Sequence, residues 1–157
     1  MRKRIVTSTG QEAAKSDQAW LNLEDLTEVE VTSENPTHPI ESALLSGGTS
    51  GWRAAEPGKQ TIRLLFERPQ RLRRIRLDFE ETSAERTQEY VLRWSADRGQ
   101  SFREILRQQW NFSPLGATSE TEDHRVELPA ATVLELTIIP DTSGREAFAS
   151  LAALRLA

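Results

Sequence analysis

Apolar and polar residues alternate one for one through the middle of this chain. Gln60 to Glu67 carries Ile62, Leu64 and Phe66 on one side, with Arg63 and Glu67 on the other. Arg73 to Phe79 repeats the pattern, with Ile75, Leu77 and Phe79 opposed to Arg74, Arg76 and Asp78. Glu89 to Ser95 brings Tyr90, Leu92 and Trp94 together. Successive side chains of extended backbone point to opposite faces, so each segment reads as a half-buried strand. Val133 to Ile139 is apolar at almost every position, as a centrally buried strand requires. Glu28–Thr32, Phe102–Trp110, the stretch around Val126 and Leu128, and Leu151–Leu156 add further strands. No helical stretch of about 10 to 15 residues separates them, which excludes a βαβ protein. Seven or eight strands of this kind predict an all-β chain folded as an antiparallel β-sandwich. Its expected core includes Ile62, Leu64, Phe66, Ile75, Leu77, Leu92, Trp94, Leu136 and Ile138.

Turn signals divide the strands. Asn35-Pro36-Thr37-His38-Pro39 and Ser46 to Gly51 read as loops, and Pro57-Gly58 as a turn. Pro69-Gln70 is expected to break one strand from the next, and Pro129 to end another, because proline lacks the N–H a ladder needs. Leu72 is out of phase with Ile75 and marks a bulge or a strand start. Ala96 to Gln100 forms a hairpin turn with Gly99 at its left-handed position. Trp20 to Leu26 reads as a short helical turn. Residues 1–19 show no clean period and are assigned to an N-terminal arm or edge segment; residues 20–157 form one domain.

Composition narrows the function classes. A chain of 157 residues buries roughly 70% of its unfolded surface, enough for a core without staples. Twenty basic against 24 acidic residues give a net charge of −4, which argues against a nucleic-acid partner. With no cysteine there is no disulfide, thiol nucleophile or thiolate metal site. His38 and His124 are too few for a histidine-rich metal site. The basic start Met1-Arg2-Lys3-Arg4 lacks the apolar run of a signal peptide, and no window approaches a membrane span. The expected location is cytoplasmic.

No nucleophile motif accompanies either histidine, and the acid pairs Glu80-Glu81 and Glu122-Asp123 read as solvated loop charge. His38 is a ligand candidate if its loop lies at a binding end. Arg107-Gln108-Gln109-Trp110-Asn111-Phe112 mixes aromatic and planar polar groups just before Pro114. A sugar needs that mixture: an aromatic face for its C–H face and paired polar groups for its hydroxyls. Arg107, Trp110, Asn111 and Phe112 are therefore binding candidates, against the alternative that Trp110 and Phe112 cover the core. Arg68, Arg71, Arg73, Arg74 and Arg76 form a basic run without an intervening acid. Arg74 and Arg76 share one solvent face, suited either to an acidic partner or to pairing with the acids from Glu24 to Glu34.

Several of these residues stand in a familiar order. Ala43-Leu44, a Gly/Ser loop, Gly51-Trp52-Arg53-Ala54, Pro57-Gly58 and Gln60-Thr61-Ile62 resemble the first half of the discoidin, or coagulation factor 5/8 C-type, domain. The run Leu64, Phe66, Pro69, Leu72, Ile75, Leu77, Phe79 continues it. Ser95-x-Asp97-x-Gly99 resembles the family's hairpin, and Ala149-Ser150-Leu151 with Leu154 and Leu156 its closing strand. The resemblance spans about Trp20 to Ala157. It implies a galactose-binding-like jelly roll, related to family-32 carbohydrate-binding modules, that recognises ligands through loops at one end. It also implies that Trp52 and Trp94 are core residues. Many members hold calcium with an acid in the loop after the Ala-Leu pair and a Glu in the last strand. Here those positions read Leu45-Ser46-Gly47-Gly48-Thr49 and Ala153, so no calcium and no cofactor is expected. The expected function is a non-catalytic binding module for carbohydrate; the alternative is a protein–protein interaction scaffold.

Overall fold

The computed structural model describes residues 20–45, 47 and 50–157. The N-terminal arm assigned to residues 1–19, and Ser46, Gly48 and Thr49 of the expected Gly/Ser loop, lie outside these. The elements in order are α1 (Leu23–Leu26), β1 (Thr27–Val31), α2 (Glu41–Leu44), β2 (Trp52–Arg53), β3 (Gln60–Glu80), β4 (Arg86–Ser95), β5 (Arg103–Phe112), β6 (Ser119–Ile139), β7 (Ser150–Leu151) and β8 (Ala153–Leu156).

Two strands of 21 residues each, β3 and β6, pair antiparallel along almost their whole length. Each serves both layers of a sandwich. The first half of β3 and the last half of β6 sit between β1 on one side and β4 and then β5 on the other. The second half of β3 lies between β8 and the first half of β6. The register shifts between Leu65 and Arg74, where the strands pass from one layer to the other. Pro69 and Pro129 fall in these unpaired steps, so neither ends its strand as expected; a missing N–H costs nothing where no ladder bond is made. Leu72 marks this bulge and brings Ile75, Leu77 and Phe79 back to the inner face.

The alternation closes the core. Ile62, Leu64, Phe66, Ile75, Leu77, Leu92, Leu136 and Ile138 are all buried as expected, whereas Trp94 packs at the core's margin and is only partly buried. Trp52 is fully buried, its indole N–H donating to Ser33 O at 3.0 Å. Asn22 caps α1 through its Oδ1, which accepts the Glu24 N–H. The helix α2 and the strand β2 flank the Ser46 to Gly51 loop and have no period in the sequence that announces them. His124 and the Glu122-Asp123 pair, expected in loops, lie on β6. In the β4–β5 hairpin, Ser95 Oγ bonds Asp97 and accepts the Gly99 N–H at 2.9 Å; Gly99 has φ +89°. Bonds from Ser101 and Ser95 hold the Asp97 carboxyl down at about 2.

On the inner face of β6, Glu120, Glu122 and His124 follow one another toward the sandwich edge. His124 Nε2 hydrogen-bonds Tyr90 Oη at 2.9 Å. Glu120 is 4% exposed, and neither of its oxygens has a protein partner. Burial, then the neighbouring Glu122, pushes its carboxyl up to about 8 from an ordinary 4.5. The raised value makes the neutral acid the folded form. Stability from this group is complete below the ordinary 4.5 and is lost as pH rises through about 8. Denaturant titrations from pH 5 to 9 are expected to show this decline. Glu120→Gln, which mimics the neutral acid, is expected to flatten it; an unchanged slope would refute the assignment.

Candidate functional site

At one end of the sandwich four segments meet around a cavity of about 250 Å³. They are the turn bearing His38, the strand β2, the loop from Glu80 to Ser83, and β7 with Ala152. The short ribbon β2–β7 fixes two of them, pairing Trp52 with Leu151 and Arg53 with Ser150. Gly51 makes the approach possible: it has φ +66°, and a Cβ there would meet Leu151 O at 2.7 Å. The His38 turn is pinned to β2, since the Arg53 N–H donates to His38 O at 3.1 Å and the Asn35 N–H to Arg53 O at 2.8 Å.

The floor of the cavity is a buried ion pair. Arg86 Nε donates to Glu81 Oε1 at 2.8 Å, with the two side chains 1% and 6% exposed. Arg86 also donates to Pro140 O and Gln88 Oε1, and it lies 4.9 Å from the Phe112 ring. Burial alone raises the Glu81 carboxyl, but Arg86 together with the Ser83 hydroxyl and N–H outweighs it and holds the group below its usual value. Glu81 is therefore a fixed anion already claimed by Arg86, and not the solvated loop charge expected. Above the floor, the Arg53 guanidinium lies over the Phe148 ring at 5.8 Å and donates to no acceptor among the described residues. The single Thr37 hydroxyl proton goes to Asn35 Oδ1. His38 Nδ1–H must therefore donate to Thr37 Oγ1, at 2.9 Å, which leaves Nε2 as an acceptor. Ser83, Ser150 and the exposed Glu80 complete a rim of mixed donors and acceptors. Among the described residues no serine bonds either histidine; the hydroxyls that do are those of Thr37 and Tyr90.

The candidates from the Arg107 segment lie elsewhere. Strand β5 continues two residues past its expected end at Trp110, so Asn111 and Phe112 lie in strand and not at a loop. Phe112 is 1% exposed and packs in the core beneath Arg86, which removes it as a ligand contact. Trp110 is partly buried against the core, with its indole N–H buried and unpartnered. Asn111 accepts from Thr87 Oγ1 at 2.7 Å, and Arg107 is paired with Glu89 at 2.6 Å and Glu104 at 3.0 Å. Only His38 of the sequence candidates lines the end cavity. Arg53 passed unnoticed because it stands within a motif that reads as structural, and Glu81 because its acid pair reads as solvated loop charge.

The arginine run also differs from expectation. Its acidic partners are Asp123 for Arg74, Glu127 for Arg71 and Asp78 for Arg76, not the acids from Glu24 to Glu34. Those acids belong to α1, β1 and the following turn, beside the other half of β3. Trp20 packs under the Arg74 guanidinium at 4.6 Å, as a packed N-terminal tryptophan should.

The implied calcium does not fit this chain. Arg155 Nη1 donates to Ala43 O at 2.8 Å and Nη2 to Leu45 O at 3.3 Å. These carbonyls, at the entrance of the loop where the resemblance puts the metal, already face a cation. Ala153 offers no carboxylate. Among the described residues no cluster of three acidic or histidine ligands exists.

Sandwich, topology and end cavity together define an antiparallel β-sandwich of the jelly-roll type. No protein-family model and no curated protein sequence matches the chain significantly. Solved structures do. One is CpGH89CBM32-5 from Clostridium perfringens in complex with GalNAc-β-1,3-galactose, at 22% identity and TM-score 0.62, covering 87% of this chain and 98% of that one. The CBM32 of AlyQ in complex with 4,5-unsaturated mannuronic acid matches at 14% identity and TM-score 0.63, covering 85% and 95%. Reduced XRCC1 bound to the DNA polymerase β catalytic domain matches at 15% identity and TM-score 0.61, covering 84% and 95%. The fold is thus the one that family-32 carbohydrate-binding modules share with discoidin domains.

Two outcomes follow from the site's construction. Arg86→Met strands the Glu81 carboxylate and is expected to cost about 3–5 kcal/mol, much of it recovered in the double variant with Glu81→Leu. Chemical denaturation measures both. Arg155→Met is expected to cost about 2 kcal/mol, or roughly 4–8 °C in Tm. Millimolar calcium is expected to leave the wild-type Tm unchanged; a rise of several degrees would show that the carbonyls still take a metal.

Proposed function

We propose that this domain is a non-catalytic carbohydrate-binding module whose end cavity seats a sugar residue. One observation carries the reading. Arg53 and His38 Nε2, a donor fork and an acceptor, have no partner among the described residues in a cavity whose floor is locked by Glu81 and Arg86. Vicinal hydroxyls of a pyranose are donor and acceptor at adjacent positions, and such a rim matches them without further rearrangement. Ser83, Ser150 and Glu80 supply the remaining partners. Two structures with this fold, cited above, were solved with a disaccharide and a uronic acid, which supports a sugar over other polar ligands. The absence of a serine–histidine bond among the described residues, together with the neutralised Glu81, favours binding over hydrolysis. The XRCC1 complex favours the second reading, a protein–protein scaffold.

A glycan array probed with the intact domain, followed by titration calorimetry on the best sugar, tests the proposal. Arg53→Gln and His38→Ala are each expected to weaken binding about tenfold or more. Tm is expected to stay unchanged, because both side chains are partly exposed. Sugar binding that survives both substitutions would move the site away from this cavity. An array with no binding would favour the scaffold.

A further inference from the structure

The two outer faces of the sandwich treat charge in opposite ways. On the five-stranded layer one row crosses every strand: Glu30, Arg63, Glu135, Arg93 and Glu104 stand side by side in register. Charges alternate along it, and Glu135, buried at its centre, is bonded by Arg63 and Arg93 at 2.7 and 2.6 Å. That face neutralises itself. On the three-stranded layer Arg74 stands directly opposite Arg125, and Arg76 directly opposite Arg155. Like charges in cross-strand pairs are destabilising, and the chain places two such pairs on three short strand segments. Two carboxylates stand among them: Asp78, 3.7 Å from Arg76, and Asp123. Asp123 is bonded by Arg74, and Arg76 and Arg125 help to hold its carboxyl below the usual range. Arg73 and Arg125 are exposed, and neither forms a salt bridge among the described residues. A positive field therefore stands over this face of a chain whose net charge is −4.

This face is continuous with the end cavity. The strand β3 runs along it from Arg74 and Arg76 to Glu80, which is on the cavity rim. At about 3.3 Å per residue, Arg76 lies about 13 Å and Arg74 about 20 Å from that rim. A polymer seated at the cavity by one residue and continuing along β3 would pass Glu80 and Asp78 and bring its later residues over these arginines. Guanidinium groups bind carboxylates and sulfates through two parallel hydrogen bonds, which gives a polyanion both affinity and register.

We propose that the outer face of the three-stranded layer, through Arg73, Arg76 and Arg125, binds the continuation of an acidic polysaccharide whose end residue occupies the cavity. This rests on the carbohydrate reading and adds the ligand class: a chain bearing carboxylate or sulfate groups, several residues long.

The test compares a uronic-acid hexamer with a neutral hexose hexamer of the same linkage, by titration with the intact domain. The acidic hexamer is expected to bind more tightly in low salt and to lose that advantage at about 0.5 M salt. Arg73→Gln/Arg125→Gln, two exposed positions outside the cavity, is expected to weaken the acidic hexamer about tenfold and leave the neutral one unchanged. Arg53→Gln is expected to weaken both. If the double variant binds the acidic hexamer as wild type does while Arg53→Gln fails, the face is not used and the cavity reading stands. If neither hexamer binds, both readings fall. If polyglutamate of equal charge binds as tightly as the uronate hexamer, the face belongs to an acidic protein and the proposal fails.

Discussion

The pairing of β3 with β6 organises everything else in this molecule. Each strand is twice an ordinary length because it works in both layers. The other strands attach to one half or the other, with β1 and β4 on the first layer and β8 on the second. The step between layers leaves backbone groups without ladder partners, and these need other bonds. Arg98 supplies them. Its guanidinium donates to Phe66 O and Glu67 O, and its own N–H donates to Thr132 Oγ1. Arg98 holds φ +62°, an uncommon conformation for a residue with a side chain, at the tip of the β4–β5 hairpin. A hairpin turn thus braces the bend of two strands that lie far from it in sequence.

How much of this was legible varies with the range of the interaction. The strands and their inner faces follow from a local period of two, and Leu72 announced the bulge because it broke that period. The Ser95, Asp97 and Gly99 turn was equally local. Phe112 misled because Pro114 marks a turn but does not say how far the strand extends toward it; two further residues of pairing carry its ring inward. Trp110, two residues away on the same face, follows it against the core. The end cavity gathers residues from near 38, 53, 81 and 150, and no spacing rule connects them. His38 was noticed because its loop holds two prolines. The pairing of Arg86 with Glu81 leaves no trace in the sequence, since it depends on how the connection after β3 folds back. Arg155 is similar: only the structure reveals which carbonyls its guanidinium meets.

The cavity's rigidity comes from groups that do not face the ligand. Arg86 fixes Glu81, the Asn35 turn fixes His38, and the β2–β7 ribbon fixes Arg53. The side chains left free to bind are therefore held by backbone and by buried charge. A site arranged in advance loses little conformational entropy when it is filled.

The charges on the outer strands have one more consequence. Among the described residues the first layer ends at β1 on one side and at β5 on the other, and the outer edge of each has no strand paired to it. Such edges are templates on which a second chain can add its own strand and begin an aggregate. Here β1 carries exposed Glu28 and Glu30, and β5 carries exposed Arg103, Glu104 and Arg107. An incoming strand would have to strip water from these groups along its whole length. The same residues that keep the sheet's surface polar thus discourage it from growing.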